Sequence, residues 1–286
     1  MIGVLVIALS LAAILFLLAA GLTLIFGMLG VINFAHGSFY MLGAYLCYAA
    51  IVWSGNFWLS LVAAAVVAGI VGALAETVAL RPLYGRAHHY QMLLTFGLIL
   101  VLDELVKGIW GLDYKEVGAP ALLAGPTVIA GTSVSIYRLF VIGFGAAVAL
   151  ALFVVLERTR VGVTVRAASS DAEMVGALGI DVRRVRTVVF AVGAAFAGLA
   201  GAITAPLFPV ELGMGFSVII DCFVIIIIGG LGSIKGAVVA ALLVGFVRAV
   251  GYTLVPEWVD FATYSLLILV LLTRPQGLFG RAGRVA

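Results

Sequence analysis

Two clusters of polar and small residues interrupt otherwise apolar stretches of this chain, and they are the places where it could do chemistry. The first is GMLGVINFAHGSFYMLGAY at 27–45, broken by Gly27, Gly30, Asn33, His36, Gly37 and Ser38. The second is IIIIGGLGSIKGAVVAALLVG at 225–245, broken by Gly229, Gly230, Gly232, Ser233, Lys235 and Gly236. One falls in each half of the chain, and each is followed by a span rich in small residues. Inside a bilayer, backbone groups freed from a helix are tolerated only where protein buries them or where they line a cavity. Paired Gly-interrupted segments therefore point to broken helices around a transport path, with Asn33, His36, Gly37, Ser38, Gly229, Gly230 and Ser233 as path candidates. The same residues equally suit tight turns between spans, in which Asn and Gly serve turn chemistry. Sequence leaves both readings open.

No other constellation is reactive. Asn33 and His36 have no second His, Cys or acid at metal-ligand spacing, so His36 is expected to be a hydrogen-bonded structural residue and no metal is expected. His88 and His89 belong to a basic loop and should be solvated. Cys47 and Cys222 lie far apart in apolar runs without a CxxC partner, as buried small hydrophobes do. Asp103 and Lys107 are spaced to pair on one helix face, with Glu104 beside them. Asp221 and Arg248 fall within apolar spans, where they either pair across the bundle or snorkel to opposite interfaces. The lysines are Lys107, Lys115 and Lys235, none of them in GxxxxGK[ST]. HExxH, GxSxG and a clustered acid pair are also absent, so no catalytic residue is assigned and an intramembrane enzyme has no support. Uphill transport by this chain would draw on another subunit or on an ion gradient.

The elements that must position these residues are membrane helices. The 286 residues are 65% hydrophobic and 10% charged, against about 25% charged in a soluble domain, and the mean hydropathy is +1.30. Continuous apolar runs without period-2 alternation argue against a β-barrel. The reading is all-α: a polytopic membrane bundle of about eight or nine transmembrane helices with discontinuous segments. Spans are predicted at 3–26, 34–53, 59–80, 91–110, 136–156, 187–207, 216–229, 236–255 and 259–273. The stretch 216–229 is short, either a tilted span or a segment that enters and returns. The apolar start lacks a basic flank and is longer than a signal core, so it is expected to be retained as the first span.

Net charge is only +3, and the arginines gather in loops, which speaks to orientation and not to nucleic acid. Arg81 and Arg86 form one basic loop. Arg158, Arg160, Arg166, Arg183, Arg184 and Arg186 form the next, and Arg274, Arg281 and Arg284 a basic tail; all three should be cytoplasmic. The loops at 54–58 and 111–135 should then lie outside, as should the N-terminus. The small-residue stretches at 63–76 and 191–205 suit close helix packing.

The loop at 157–186 carries a helix too short to span. Ser170 is predicted as its N-cap with Glu173 at N3, and Gly179 as the left-handed residue after its end. Asp171, Ala172, Met174, Val175, Gly176 and Leu178 fill it. About nine residues make roughly 13 Å of helix, against about 20 residues for a span. A short basic-flanked helix outside the membrane is a handle for another protein.

The chain resembles the LivH-type permeases of branched-chain amino-acid ABC importers. The likeness rests on GLTLIFGMLGVINFAHGSFYMLGAY at 21–45, ETVALRPLYGR at 76–86 and TRVGVTVRAASSDAEMVGALGIDVRRVRTVVFAVGAAFAGLAGAI at 159–203. GGLGSIKGAVVAALLVG at 229–245 and RPQGLFG at 274–280 continue it in the same order. The resemblance implies one permease domain over 1–286 in a bacterial plasma membrane, forming half of a translocation path for branched-chain amino acids or a related small polar solute. It implies a second, related permease, two cytoplasmic ATPases that use ATP and Mg, and an extracytoplasmic binding protein, with no cofactor in this chain. It also implies that the helix around Ala172 to Leu178 is the coupling helix seated in an ATPase groove. The competing reading is a secondary transporter or channel for a small polar solute, which would have no need of an exposed docking helix.

Overall fold

The computed structural model describes residues 1–280, so Arg281 and Arg284 of the basic tail lie outside the described residues. In chain order the helices are α1 (Ile2–Leu29), α2 (His36–Ser54), α3 (Phe57–Leu74), α4 (His88–Trp110), α5 (Ile136–Arg158) and α6 (Arg160–Ser170). They continue with α7 (Ala172–Ala177), α8 (Val182–Thr204), α9 (Met214–Gly229), α10 (Ile234–Leu254) and α11 (Val259–Thr273). Among the described residues seven helices are long and apolar enough to cross a membrane. Beyond these, α9 is shorter at 16 residues, and α4, at 23 residues, carries Asp103, Glu104 and Lys107. The protein is a polytopic helical bundle.

At the centre stands α8, whose small-residue face lets three neighbours approach closely. A Cβ on Gly193 would meet Ile25 and the Gly21 carbonyl of α1, one on Gly198 would meet Ala64 and Ala68 of α3, and one on Gly201 would overlap the Tyr40 carbonyl of α2. The stretches 63–76 and 191–205 thus pack on each other, because without a hydrophobic force between helices in lipid, close van der Waals contact must hold them.

Contacts between chain ends define two faces. On one, Arg81 donates to Thr187 (2.6 Å), joining the end of α3 to the start of α8, and Lys235 pairs with Glu157 (3.5 Å), joining α10 to α5. There too Gly27 lies against Gly232, and the Leu278 N–H donates to the Ile228 carbonyl (2.8 Å). This is the basic face, carrying all three predicted basic segments as far as they are described. On the opposite face Lys115 and Val210 exchange backbone hydrogen bonds of 2.9 Å, and Gly3 approaches Thr132. The chain starts on that face and finishes on the basic one; α1, α3, α4, α5, α8, α10 and α11 run between them, while α2 and α9 start within the bundle.

Three features were not expected from the sequence. The end of α3 widens into a π-helical turn over Ala75–Leu80. The loop at 111–135 holds a two-stranded hairpin, β1 (Pro126–Ile129) and β2 (Thr132–Ser135), turned by Ala130 (φ 46°) and Gly131 (φ 78°). The basic loop contains a second helix, α6, ahead of the short one.

Candidate translocation segment and coupling loop

Between α1 and α2 the chain runs non-helically, and it does so within the bundle. His36 Nε2–H donates to the Leu18 carbonyl at 2.9 Å, and its ring lies against Gly21. Leu18 is eleven residues before the end of α1, about 16 Å of helix at 1.5 Å per residue. The segment 30–35 therefore turns back along α1, and α2 begins some three turns in from the basic end. Such backbone must be covered by protein: Val31, Asn33 and Ala35 are buried, the Phe34 N–H donates to Thr95 Oγ1 of α4 (3.4 Å), and the Phe34 ring stacks on Phe96 (4.4 Å) and leans on Phe223 of α9 (5.0 Å). Gly37 packs back to back with Gly215, so α9 starts beside the first turn of α2. From there α9 runs 16 residues to the turn at Gly229.

Asn33, His36, Gly37 and Ser38 come together on this segment, all of them buried. His36 is hydrogen-bonded as expected, and among the described residues its Nδ1 has no partner. Asn33 is fully enclosed, and among the described residues neither its Oδ1 nor its Nδ2 has a partner. Among the described residues Asp103 of α4 forms no ion pair with Lys107, and its carboxyl lies near Ser38. This corrects the expected pair: Lys107 Nζ instead reaches Glu104 at 2.9 Å, one turn away on the exposed side. Phe34, Thr95, Phe96 and Phe223 escaped the sequence reading, since an aromatic in an apolar run carries no mark of its partner.

The other three path candidates sit in the turn between α9 and α10 on the basic face. Gly229 and Gly236 are in close contact, Gly230 takes φ 99°, and Ser233 Oγ caps α10 by accepting from the Gly236 N–H at 3.1 Å. The tail closes over this turn: Phe279 N–H donates to the Gly229 carbonyl (3.0 Å), and Gly277 and Gly280 lie against Gly230. Turn chemistry accounts for these glycines and for Ser233, while His36 lies up the bundle beside Leu18.

Two ionic clusters tie helices together. Arg248 of α10 holds Asp221 of α9 through two hydrogen bonds of 2.6 Å, with Asp260 of α11 at 3.3 Å; the pair spans the bundle and does not snorkel apart. At the basic face Glu76, fully buried in the π-turn, accepts from Arg81 (3.0 Å), Tyr84 (3.0 Å) and Thr187 (2.8 Å). Burial, then the Glu76 charge, push the Tyr84 phenol above its ordinary range.

In the basic loop the cap is Asp171, whose Oδ1 accepts the Met174 N–H at 2.9 Å, and not Ser170 as expected. Ser170 is the last residue of α6, its Oγ donating back to the Arg166 carbonyl (3.1 Å). Both residues are good caps, and the prediction failed because α6 already occupies Ser170. Gly179 takes φ 85° after the helix as predicted, and Asp181 then caps α8 through the Arg183 and Arg184 N–H groups (3.1 and 3.2 Å). On α7 and its cap, Met174 is 61% and Leu178 74% exposed, whereas Val175 is 4% exposed and belongs to the core.

Seven long apolar helices with a non-helical segment buried among them define a polytopic membrane protein. Residues 4–271 match the family described as branched-chain amino acid transport system / permease component, and the chain belongs to that family. It is similar to the high-affinity branched-chain amino acid transport system permease protein BraD of Pseudomonas aeruginosa, 34% identical over 93% of this chain and 91% of that protein. LivH of Escherichia coli (strain K12), of the same description, is likewise 34% identical over 93% and 91%. The permease protein LivM of that organism is 28% identical over 94% of this chain and 68% of its own length. No solved structure matches the chain. The protein is an integral membrane protein.

Proposed function

We propose that this chain is the non-catalytic permease subunit of an ATP-driven importer for branched-chain amino acids or a closely related small solute. It is a single permease domain, set in a bacterial plasma membrane with the basic face toward the cytoplasm. Its partners are a second, related permease, two cytoplasmic ATPases that use ATP and Mg, and an extracytoplasmic binding protein. The chain itself holds no cofactor. The observation that carries this is α7 with Met174 and Leu178 bare, outside the membrane helices and next to arginines. Apolar side chains fixed on a capped helix in water are suited to an apolar groove in a partner. The translocation path passes the segment around Phe34 and Ser38, where non-helical backbone leads into the first turn of α2. The turn at Gly229, Gly230 and Ser233 moves with the coupling loop at its cytoplasmic end.

The test is reconstitution of the five-component system in vesicles. Met174→Asp with Leu178→Asp should abolish coupled uptake while the variant inserts and purifies as the unaltered chain does. Val175→Asp should instead lower the folded yield, because that side chain is internal. Undiminished uptake by the Met174/Leu178 double variant would overturn the coupling role.

A further inference from the structure

A cavity of about 340 Å³ opens on the basic face at the ends of α1, α4 and α8, lined by Leu29, Tyr84, Arg86, His88, Gln91 and Arg186, with Gly85 at its rim. Its lining holds two guanidinium groups and an imidazole but no carboxylate. Among the described residues neither Arg86 nor Arg186 has an ion-pair partner. Glu76, the carboxylate of this neighbourhood, is already taken by Arg81, Tyr84 and Thr187. Arg186 is not loose: its guanidinium rests 5.1 Å from the centre of the Tyr84 ring, and Tyr84 is itself fixed by Glu76. Gln91 is anchored as well, donating to the Leu83 carbonyl at 3.1 Å. The 23-residue helix α4 begins here at His88 with no side-chain cap, so its first N–H groups are open to an anion.

We propose that this cavity seats the phosphate of an anionic phospholipid. The chemistry alone would suit any phosphate monoester or diester, but the surroundings favour a lipid. Leu29 forms one wall, and the cavity lies where the spans α1 and α8 end, so it is at the edge of the apolar surface that those spans present to the bilayer. Phosphate held by Arg86, Arg186 and the start of α4 would leave acyl chains lying on that surface. The guanidinium fork suits phosphate oxygens, and the site is at the height where headgroups sit. Bound there, the lipid would brace the α1–α4–α8 junction, the base of the broken segment.

The test uses the chain assembled with its transport partners and purified in mild detergent, with retained lipid measured by native mass spectrometry after exposure to phosphatidylglycerol or phosphatidylcholine. The unaltered protein should retain phosphatidylglycerol preferentially. Arg86→Gln with Arg186→Gln should lower that retention roughly thirty-fold, as expected for losing two arginines that face an anionic headgroup. Arg183→Gln, on the same face but outside the cavity, should change it little. Should the double variant fail to fold, Arg86→Gln alone, at an exposed position, should still lower retention. Equal retention of both lipids, or an equal fall with Arg183→Gln, would overturn the site. Displacement of the lipid by millimolar inorganic phosphate would show a free-phosphate site instead. Unchanged lipid retention with loss of the ATPases from the double variant would make the cavity a protein-docking surface.

Discussion

Gly201 has no space for a methyl group, because the Tyr40 carbonyl fills it, whereas a Cβ on Gly97 would meet nothing within 4 Å. Gly201→Ala should therefore destabilise the purified chain by about 1–3 kcal/mol through overpacking. Gly97→Ala, in the open interior of α4, should leave the melting temperature unchanged or raise it; equal melting shifts for the two would contradict the packing described. Asn33 presents the reverse case. Its amide is buried with neither atom paired, a condition that typically costs about 1–3 kcal/mol. An Asn33→Leu variant should melt higher than the unaltered protein and transport less, if the amide finds its partner only when the path opens. Higher stability with full uptake would make Asn33 dispensable to transport. That His36 would be hydrogen-bonded was legible from the lack of a second His, Cys or acid at metal-ligand spacing. That Leu18 would be its partner was not, since a carbonyl eighteen residues away has no signature in sequence.

The elements were legible wherever periodicity and composition agreed. The spans of α1, α3, α5 and α10 follow from sustained apolar runs, and the short α9 was visible as an anomaly of length. What sequence could not supply was where it starts, with Gly215 against Gly37. The capped helix was foreseen one residue early. Asp171→Ala should weaken α7 by about 1 kcal/mol, as loss of an N-cap does, and Ser170→Ala should not; hydrogen exchange of the Met174 amide distinguishes them. Between α9 and α10, Arg248→Met alone strands the Asp221 carboxylate and should lower stability by about 3–5 kcal/mol. Combining it with Asp221→Leu should recover part of that loss. A double-variant melting curve no better than the single would mean that the two charges do not depend on each other.

At the scale of the molecule, the arginine distribution marked one face, and the contacts at chain ends gather those segments there. The order of neighbours around α8 was less accessible, because small residues announce close packing without naming the helix that approaches. The glycine at 198 meets Ala64 and Ala68, and the one at 193 meets Gly21; only the three-dimensional arrangement assigns them. This arrangement bears on how the protein is made. The Gly43 face of α2 is closed by Gly198, a residue translated about 150 positions later, roughly ten to thirty seconds of synthesis at bacterial or slower rates. Throughout that interval α2 stands in the membrane beside α3 with an empty groove down its side. The nascent chain waits half-built for the helix that completes its core, so the pace of translation between α3 and α8 sets how long that groove stays open to the wrong neighbour.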